Sequence, residues 1–266
     1  MKPFLSLLTP SYEREGFLRA LYYALLQQDY SGSWEWIIHD MSIFPSSFFQ
    51  ELKDPRVRYY YSEERVSIGK SRNVLKGLSQ GEVLVHCDDD DYYAPHYLST
   101  VVQEMEAYDF FHIYSWFCYD VKTQQSYYWA MDHLDISTAF VLDPFSGTKT
   151  REIDYGCRLE EVQEKFTHSA RCGYGFTYAY HKHIAPHCHF PDISHQEDLG
   201  FYQEVERKGF KIRFLPDETG HVIKMIHDNN VSTVYPQYRV PFFIVDKLFP
   251  YFSAFLKTYP TIAYEN

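Results

Sequence analysis

Four consecutive aspartates, Asp88 to Asp91, directly follow the apolar stretch from Val83 to Cys87. The apolar stretch predicts a short buried strand, and adjacent carboxylates at its end (the acidic run) repel one another unless a positive group lies among them. The simplest such group is a hard divalent cation, Mg²⁺ or Mn²⁺, which prefers oxygen ligands and often shares them with substrate phosphates. A solvated acidic turn is the alternative. Ligands of open α/β sheets bind outside the carboxyl ends of strands, so the placement favours a cation site.

Length, charge and cysteine content narrow the class of protein. The chain has 266 residues, which suits one large α/β domain or one domain with an appendage. Its formal net charge of -11 argues against a binder of nucleic acid or of anionic membranes, because such proteins need basic patches. The Cys count is 5, an odd number, and there is no Cys-x-x-Cys motif, so we expect reduced thiols in a cytosolic protein. No apolar run is long enough for a membrane span.

Hydrophobic periodicity predicts strands alternating with helices along the first half of the chain. The predicted strands are residues 4–9, 34–39, 57–61 and 83–87, and the predicted helices are residues 15–28 and 67–78. This order predicts a mostly parallel, doubly wound sheet. Farther along, the predicted helices are residues 95–108, 158–166 and 197–209, and the predicted strands are residues 110–119, 126–130, 174–180, 211–215 and 222–226.

Polar residues follow several of these predicted strands. They are residues 9–13, Asp40, residues 69–73 and the acidic run itself. The carboxyl ends of parallel strands lie along one edge of a sheet, which is where nucleotides bind in this class of fold. Asp40 could accept hydrogen bonds from a base or ribose, and Arg72, early in its helix, could meet a phosphate. A lone aspartate after a strand is more often a turn residue, so the inference rests on the combination.

Several of these segments resemble the family-2 glycosyltransferases of the GT-A fold. The resemblance is strong over roughly residues 3–110, resumes at residues 196–199 and is weak at residues 227–232. The combination of Gly-x-x-Arg-Asn with an acidic run after a strand is specific, whereas an isolated Glu-Asp pair is not. The matching segments are Leu8–Tyr12, Trp36–Asp40, Gly69–Asn73 and Gly81–Asp91, with Pro95 and Leu98 downstream.

The resemblance implies an α/β fold of the GT-A type, a Rossmann-like and mostly parallel central sheet flanked by helices. Residues 1–235 would form the catalytic domain, with a nucleotide-sugar-binding half at 1–110 and an acceptor-binding half at 111–235. Residues 236–266, which are rich in aromatic side chains, would form a C-terminal helical extension. This extension would pack on the catalytic domain, form a homodimer face or make a peripheral membrane contact, and packing is the default.

The resemblance also implies the donor end of a site. Asp90 would be the principal ligand of Mn²⁺ or Mg²⁺, Asp88 would contact ribose or metal, and His227 would complete the metal site. The metal would bridge the diphosphate of a sugar nucleotide and stabilise the leaving group. A hydrogen-bonded surface or core histidine is the alternative for His227. The implied nucleotide-sugar contacts are Thr9, Pro10, Tyr12, Glu13, Asp40, Gly69, Arg72, Asp88 and Asp89.

The acceptor end is implied by the adjacent residues Glu197 and Asp198. Family members with such a pair on a late helix use its aspartate to deprotonate the acceptor hydroxyl, so Asp198 is the predicted base. Favourable charge at a helix N-terminus is the alternative for both residues. Trp116, Tyr174 and Glu197 are the predicted acceptor contacts, with ordinary core packing as the alternative for the aromatic pair. The histidine-rich segment 181–189 matches no zinc module, so we favour no structural zinc there.

Together these features predict an inverting, metal-dependent glycosyltransferase. It would move a sugar from a nucleotide-diphosphate sugar to a hydroxyl of a glycan or lipid-linked glycan. UDP is the expected carrier by family frequency, with TDP and GDP as alternatives. We expect a cytoplasmic location, with the inner face of the membrane as an option. The rival functions are a metal-dependent nucleotidyltransferase, which would release pyrophosphate, and a non-catalytic carbohydrate-binding protein on the same fold.

Overall fold

The computed structural model describes residues 4–130, 139–143, 147–151, 171–230 and 238–260. The described strands form an 11-stranded sheet and a separate two-stranded sheet. None of the described helices combines the length and the apolar character that a bilayer span requires. The helix predicted at residues 158–166 lies outside the described residues.

The first half of the sheet is wholly parallel. Its elements are β1 (Leu5–Ser11), α1 (Glu15–Leu25), β2 (Trp34–Asp40), α2 (Ser47–Glu51), β3 (Val57–Tyr61), α3 (Ile68–Leu78) and β4 (Val83–His86). The strands lie in the order β3-β2-β1-β4, and every neighbouring pair is parallel. These strands and the two longer helices confirm the prediction with small shifts at their ends, whereas the short helix α2 was not predicted.

The second half of the sheet is mixed. Its elements are β5 (Tyr92–Tyr93), α4 (Tyr97–Met105), β6 (Phe110–Asp120), β7 (Gln125–Trp129), β8 (Ala139–Asp143), β9 (Gly147–Arg151), β10 (Ala179–His181), α5 (Glu197–Arg207), β11 (Ile212–Pro216), β12 (Val222–Ile226) and β13 (Tyr238–Val240). Strand β10 lies between β4 and β6 and runs antiparallel to both. Strands β11 and β12 run parallel to β6, and β7 runs antiparallel to it. The sheet is therefore wholly parallel in its first half and combines parallel and antiparallel pairs around β6 in its second.

The strand predicted at residues 174–180 is wrong over its first part. Residues Gly175–Thr177 form a 3₁₀ turn, and the strand is only Ala179–His181. The physical reason is a competing acceptor: the N–H groups of Tyr174 and Gly175 donate to the carboxylate of Asp198, at 2.7 and 2.8 Å. A side chain from α5 thus satisfies backbone donors that a neighbouring strand would otherwise have to satisfy.

Helix α3 is held close to the segment that leads into α5. A Cβ atom at Gly69 would lie 1.9 Å from the carbonyl oxygen of Pro191, so only glycine permits this approach. The N–H of Gly69 donates to the carbonyl of Ile193 at 3.0 Å. The close packing brings the side chains of Arg72, on α3, and Glu197, on α5, into contact.

The C-terminal extension is helical and aromatic, as predicted. Its helices are α6 (Phe242–Leu248) and α7 (Phe252–Thr258), which pack on α1, β5 and β12. The buried rings of Phe249, Phe252 and Phe255 surround the ring of Tyr92 on β5. By contrast, 72% of Phe243 and 47% of Tyr251 are exposed. Packing on the rest of the chain is thus observed, while a dimer face and a membrane contact stay predictions.

Candidate active site

A cavity of about 1000 Å³ opens at the carboxyl ends of β1 and β4, a size suited to a small-molecule ligand. Its walls come from the loop after β1, the N-terminal part of α3, the acidic run, the turn before β10 and the start of α5. Most of the polar strand ends that the sequence singles out therefore meet at one edge of the sheet.

Asp89 and Asp90 are both bound by one arginine. Arg14 Nη1 lies 2.9 Å from Asp89 Oδ1 and 2.8 Å from Asp90 Oδ2. Ser11 Oγ donates to Asp89 Oδ2 at 2.7 Å, and His227 Nε2 lies 3.1 Å from Asp90 Oδ2. Burial alone would raise the pKa of Asp90, but the hydrogen bond with His227 and the nearby positive charges hold that pKa below its ordinary value.

Asp91 is an anchor beneath the cavity. Its side chain has no exposed surface, and its two oxygens accept hydrogen bonds from Lys224 Nζ and from the N–H of Met225, both at 2.9 Å. Burial acts to lower the pKa of Lys224, but the charges of Asp91 and Asp90 outweigh it and raise that pKa. The ion pair joins the end of β4 to β12, a strand that pairs with β5 and β6.

The acidic run fits a hard divalent cation. Carboxylate oxygens of Asp88, Asp90 and Asp91 lie within 4.8 Å of one another, and among the described residues this is the one group of histidine, cysteine and acidic side chains so arranged. Oxygen donors suit Mg²⁺ or Mn²⁺. Asp88 and Asp90 line the cavity, whereas Asp91 does not. Asp88 and Asp90 are therefore the residues that would hold the ion, with Asp91 supporting the turn.

Arg72 connects the acidic run to α5. Its guanidinium lies 3.0 Å from Asp88 Oδ1 through Nη2 and 3.3 Å from Glu197 Oε1 through Nε. Nη1 lies 2.8 Å from Nδ1 of His86. Burial acts to lower the pKa of Arg72, but the two carboxylates raise it above its ordinary value. Burial also raises the pKa of Glu197, against the effect of Arg72.

Among the described residues, backbone N–H groups are the donors to the carboxylate of Asp198. Its Oδ2 accepts the N–H groups of Tyr174 and Gly175, and its Oδ1 accepts the N–H of Leu199 at 2.7 Å. A Cβ atom at Gly175 would lie 2.9 Å from Asp198 Cβ, so this turn requires glycine. Asp198 lines the cavity at the first turn of α5, next to buried Glu197.

Ten of the predicted site residues line the cavity. They are Pro10, Tyr12, Glu13, Arg72, Asp88, Asp89, Asp90, Tyr174, Glu197 and Asp198. His227 lies just behind this surface, where its ring stacks on Phe17 at 4.9 Å between ring centroids. It contacts Asp90, so the structure brings it to the acidic run.

Four predicted contacts lie outside the cavity lining, and each has a structural partner instead. Thr9 Oγ1 donates to the carbonyl of Cys87 at 2.7 Å and accepts the indole N–H of Trp36. Asp40 is buried and accepts hydrogen bonds from Ser42 and Tyr59. Gly69 lies against Pro191. Trp116 has 0% exposure and stacks on Trp129, so it offers a sugar no free face.

Three cationic side chains of the cavity were not predicted. Arg14 and Lys224 bind the acidic run, and the guanidinium of Arg65 lies 3.7 Å over the ring of Tyr12. Two of them carry a sequence signal. An arginine at the start of α1 faces an unfavourable helix dipole unless an acid is near, and a lysine inside the apolar strand Val222–Ile226 needs a buried partner.

The histidine-rich segment holds no metal-like cluster within the described residues. His181 Nε2 bonds to the carbonyl of Met105 at 2.9 Å, and His183 Nε2 lies 3.5 Å from Asp109. The side chains of His181 and His183 thus have protein partners at the surface of the fold.

Comparison with known proteins defines the class. The chain matches the family model for glycosyl transferase family 2 over residues 6–161, more than half of its length, and it belongs to that family. The fold is the GT-A fold of glycosyltransferases.

The similarity to individual known proteins extends over part of this chain and part of theirs. A putative colanic acid biosynthesis glycosyl transferase, WcaA of Escherichia coli (strain K12), is 29% identical over 123 residues, which is 44% of each chain. The crystal structure of S. aureus TarS 1-349 superposes with a TM-score of 0.53 at 18% identity, covering 85% of this chain and 60% of that one. The same protein in complex with UDP-GlcNAc gives a TM-score of 0.57 at 17% identity, with 86% and 60% coverage. The chain thus spans less than half of the curated relative and about 60% of the TarS fragment.

Proposed function

We propose that this protein transfers a sugar from a nucleotide-diphosphate sugar, with UDP as the expected carrier, to a hydroxyl of a glycan acceptor in polysaccharide biosynthesis. The observation that carries the proposal is one cavity lined by both the acidic run and Asp198. Family membership supports sugar transfer, and the UDP-GlcNAc complex of a protein with the same fold supports a nucleotide-sugar donor.

The loop after β1 is the proposed nucleotide site. Pro10, Tyr12 and Glu13 line the cavity there, and an aromatic ring offers a stacking face to a base. In this structure the guanidinium of Arg65 covers the ring of Tyr12. A base that stacks on Tyr12 from that side would move Arg65, whose long side chain has room to turn. Asp40 keeps Tyr59 and Ser42 in place beside this loop rather than facing the ligand.

Asp88 and Asp90 are the proposed holders of Mn²⁺ or Mg²⁺. When bound, the ion would neutralise charge that develops on the departing diphosphate. The protein's own part is to present the two carboxylates in fixed positions. Arg72 fixes Asp88, and Lys224 fixes Asp91 below them. His227, which does not line the cavity, lies 3.1 Å from Asp90 Oδ2 through its Nε2 and helps to position that carboxylate.

Asp198 is the proposed base that takes the proton of the acceptor hydroxyl. A carboxylate has about four acceptor positions, and three of those on Asp198 are filled by N–H groups. The remaining position is available to a hydroxyl in the cavity. The acceptor oxygen would bond to the anomeric carbon as the bond from that carbon to the diphosphate breaks. This single displacement would invert the configuration, and Asp198 would take the hydroxyl proton. The neighbouring residues Tyr174 and Glu197 are the proposed acceptor contacts in the lining.

The proposed function also assigns roles to parts of the chain and a location to the protein. We place the nucleotide half at residues 1–110, the acceptor half at 111–235 and the extension at 236–266. The exposed rings of Phe243 and Tyr251 on the extension suit contact with the inner face of a membrane that carries a lipid-linked acceptor, or with a second copy. A cytoplasmic location suits a nucleotide-sugar donor.

The test is a thermal-shift screen of UDP-, GDP- and TDP-sugars with and without Mn²⁺, followed by analysis of the released nucleotide. Ligands that bind the native state raise Tm. We expect UDP-sugars with Mn²⁺ to give the largest shift and the product to be a nucleoside diphosphate. Release of pyrophosphate would point to nucleotidyl transfer instead. Binding with no turnover of any nucleotide sugar would point to a non-catalytic carbohydrate-binding protein.

A further inference from the structure

We infer that Arg14 is a resident cation of the acidic run that a divalent metal ion must displace from Asp90. The inference rests on the proposed function, because it concerns the metal that this function would use. Arg14 Nη1 lies 2.9 Å from Asp89 Oδ1 and 2.8 Å from Asp90 Oδ2. Its Nη2 donates to the carbonyl of Asn229. One guanidinium therefore bridges two carboxylates and the loop that follows β12.

The position of Arg14 in the chain shows that these contacts outweigh an opposing effect. Arg14 immediately precedes α1, and its side chain makes no cap hydrogen bond to that helix. A positive charge at a helix N-terminus opposes the helix dipole. Only 17% of the side chain is exposed, so water contributes little compensation. Burial acts to lower the pKa of Arg14, but Asp89 and Asp90 outweigh it, so the group stays charged.

Arg14 and a metal ion compete for the same oxygens. Asp90 Oδ2 contacts Arg14 and His227, and Asp90 is also one of the two carboxylates that face the cavity as metal ligands. A divalent ion on Asp90 would lie next to the guanidinium, and the repulsion between two cations at such a distance is strong in a partly buried site. Arg14 must therefore leave Asp90 when the ion binds.

The other cations of the site are not exchangeable in this way. Lys224 binds Asp91, which has no exposed surface and does not line the cavity. Arg72 binds Asp88 but is itself 4% exposed and bonded on two further sides, to Glu197 and His86. Arg14 lines the cavity and keeps Asp89 as a partner after it leaves Asp90. It is thus the cation that can move without leaving a buried charge unpaired.

The experiment measures Mn²⁺ affinity of the nucleotide-free protein, by the electron paramagnetic resonance signal of free Mn²⁺ at an ionic strength of about 0.15 M. The variants are Arg14→Gln and the matched control Arg65→Gln. The control removes one positive charge from the same cavity, but Arg65 lies over the ring of Tyr12. We expect the Kd of Arg14→Gln to fall at least about tenfold, since a competing charge beside a carboxylate is worth a unit or more of pKa. Arg65→Gln should stay within about twofold, because exposed charges at longer range are screened.

A second measurement covers the effect of Arg14 on folding. In EDTA, Arg14→Gln should have a lower Tm than the unmodified chain, because its carboxylates repel one another without the guanidinium. Mn²⁺ should then raise the Tm of Arg14→Gln more than that of the unmodified chain. If Arg14→Gln does not fold, Arg14→Lys replaces it, with a smaller fall in Kd expected because lysine lacks the fork that bridges Asp89 and Asp90.

The outcomes separate this inference from the proposed function. If the unmodified chain binds Mn²⁺ and Arg14→Gln binds it equally or more weakly, the inference is wrong and the metal proposal stands. If only Arg14→Gln binds Mn²⁺, the inference is supported and metal dependence of the unmodified chain is wrong. If neither the unmodified chain nor any variant binds Mn²⁺, the inference on Arg14 and the metal proposal are both wrong.

Discussion

The two groups of carboxylates that face the cavity are held by different means. The acidic run is neutralised by side chains, chiefly Arg14 and Lys224, whereas Asp198 is held by three backbone N–H groups. Arg14, which lines the cavity, can rotate away and be replaced, while a backbone donor can move only with its turn. The comparison indicates that one end of the cavity is built to exchange its positive charge and the other to keep one carboxylate in one orientation.

The largest loss of sugar transfer is expected when the acidic run loses the negative charge of Asp90. Asp90→Asn should lower sugar transfer at least about a thousandfold, since it removes a charge used in the departure of the diphosphate. It should also abolish the Mn²⁺-dependent thermal shift with UDP. The control is Asp54→Asn, which removes a carboxylate paired with Arg56 outside the cavity lining. Transfer at the level of the control would contradict the assignment of Asp90.

A change at Asp198, at the other end of the cavity, should affect turnover but not nucleotide binding. Asp198→Asn should lower transfer by about a hundred- to a thousandfold, the usual contribution of a general base. It should leave the Mn²⁺-dependent thermal shift with UDP intact, because Asp198 makes no contact with the acidic run. Measuring the shift and the turnover on the same sample separates the two ends. Full transfer by this variant would remove Asp198 as the base.

The ion pair between Lys224 and Asp91 should contribute to the free energy of unfolding. Lys224→Met would leave Asp91 buried without its ion-pair partner, which typically costs about 3–5 kcal/mol of unfolding free energy. Urea unfolding in EDTA measures it. The double variant Lys224→Met with Asp91→Asn should recover much of the loss, because no uncompensated charge remains. A loss below about 1 kcal/mol in the single variant would show that Asp91 carries no uncompensated charge there, because it takes up a proton or is reached by water; burial acts to raise the pKa of this carboxyl.

The smallest effect is expected at the C-terminal extension. The hydroxyl of Tyr259 donates to the backbone carbonyl of Asp90 at 2.9 Å, and its ring contacts those of Phe17 and His227. Tyr259→Phe keeps the ring and loses this bond, so unfolding free energy should fall by about 1 kcal/mol. Tyr251→Phe, at a half-exposed ring, is the control. Equal unfolding free energies for the two variants would show that the hydrogen bond from Tyr259 to Asp90 does not stabilise the fold.

The parallel half of the sheet was predictable because each strand is a short apolar run that ends in polar residues. The acidic run was placed at the correct strand end for the same reason. The late start of the antiparallel strand β10 was not predictable, since the N–H groups of Tyr174 and Gly175 donate to the side chain of Asp198, which lies farther along the sequence. Alternation cannot reveal a competing acceptor of that kind.

The sequence pattern also did not predict the direction in which side chains near strand ends point. The pattern places Thr9 and Asp40 at strand ends and predicts ligand contacts there. In the structure Thr9 lies inside β1 and Asp40 ends β2, and both bond to neighbouring strands and loops. Trp116 lies in β6 and stacks on Trp129 across the strand pair. A strand end tells which edge of the sheet a residue occupies, but the packing of neighbouring elements decides whether its side chain reaches the cavity.

The three-residue strand Ala179–His181 has a consequence for synthesis of the chain. It is the strand that covers the outer edge of β4, and it also bonds to β6. The ribosome releases it long after β4, so the parallel half emerges with its β4 edge unpaired. An open strand edge is a template for pairing with other chains, and pairing distant segments is slow. Newly made chains therefore pass through an interval in which aggregation competes with completion of the sheet.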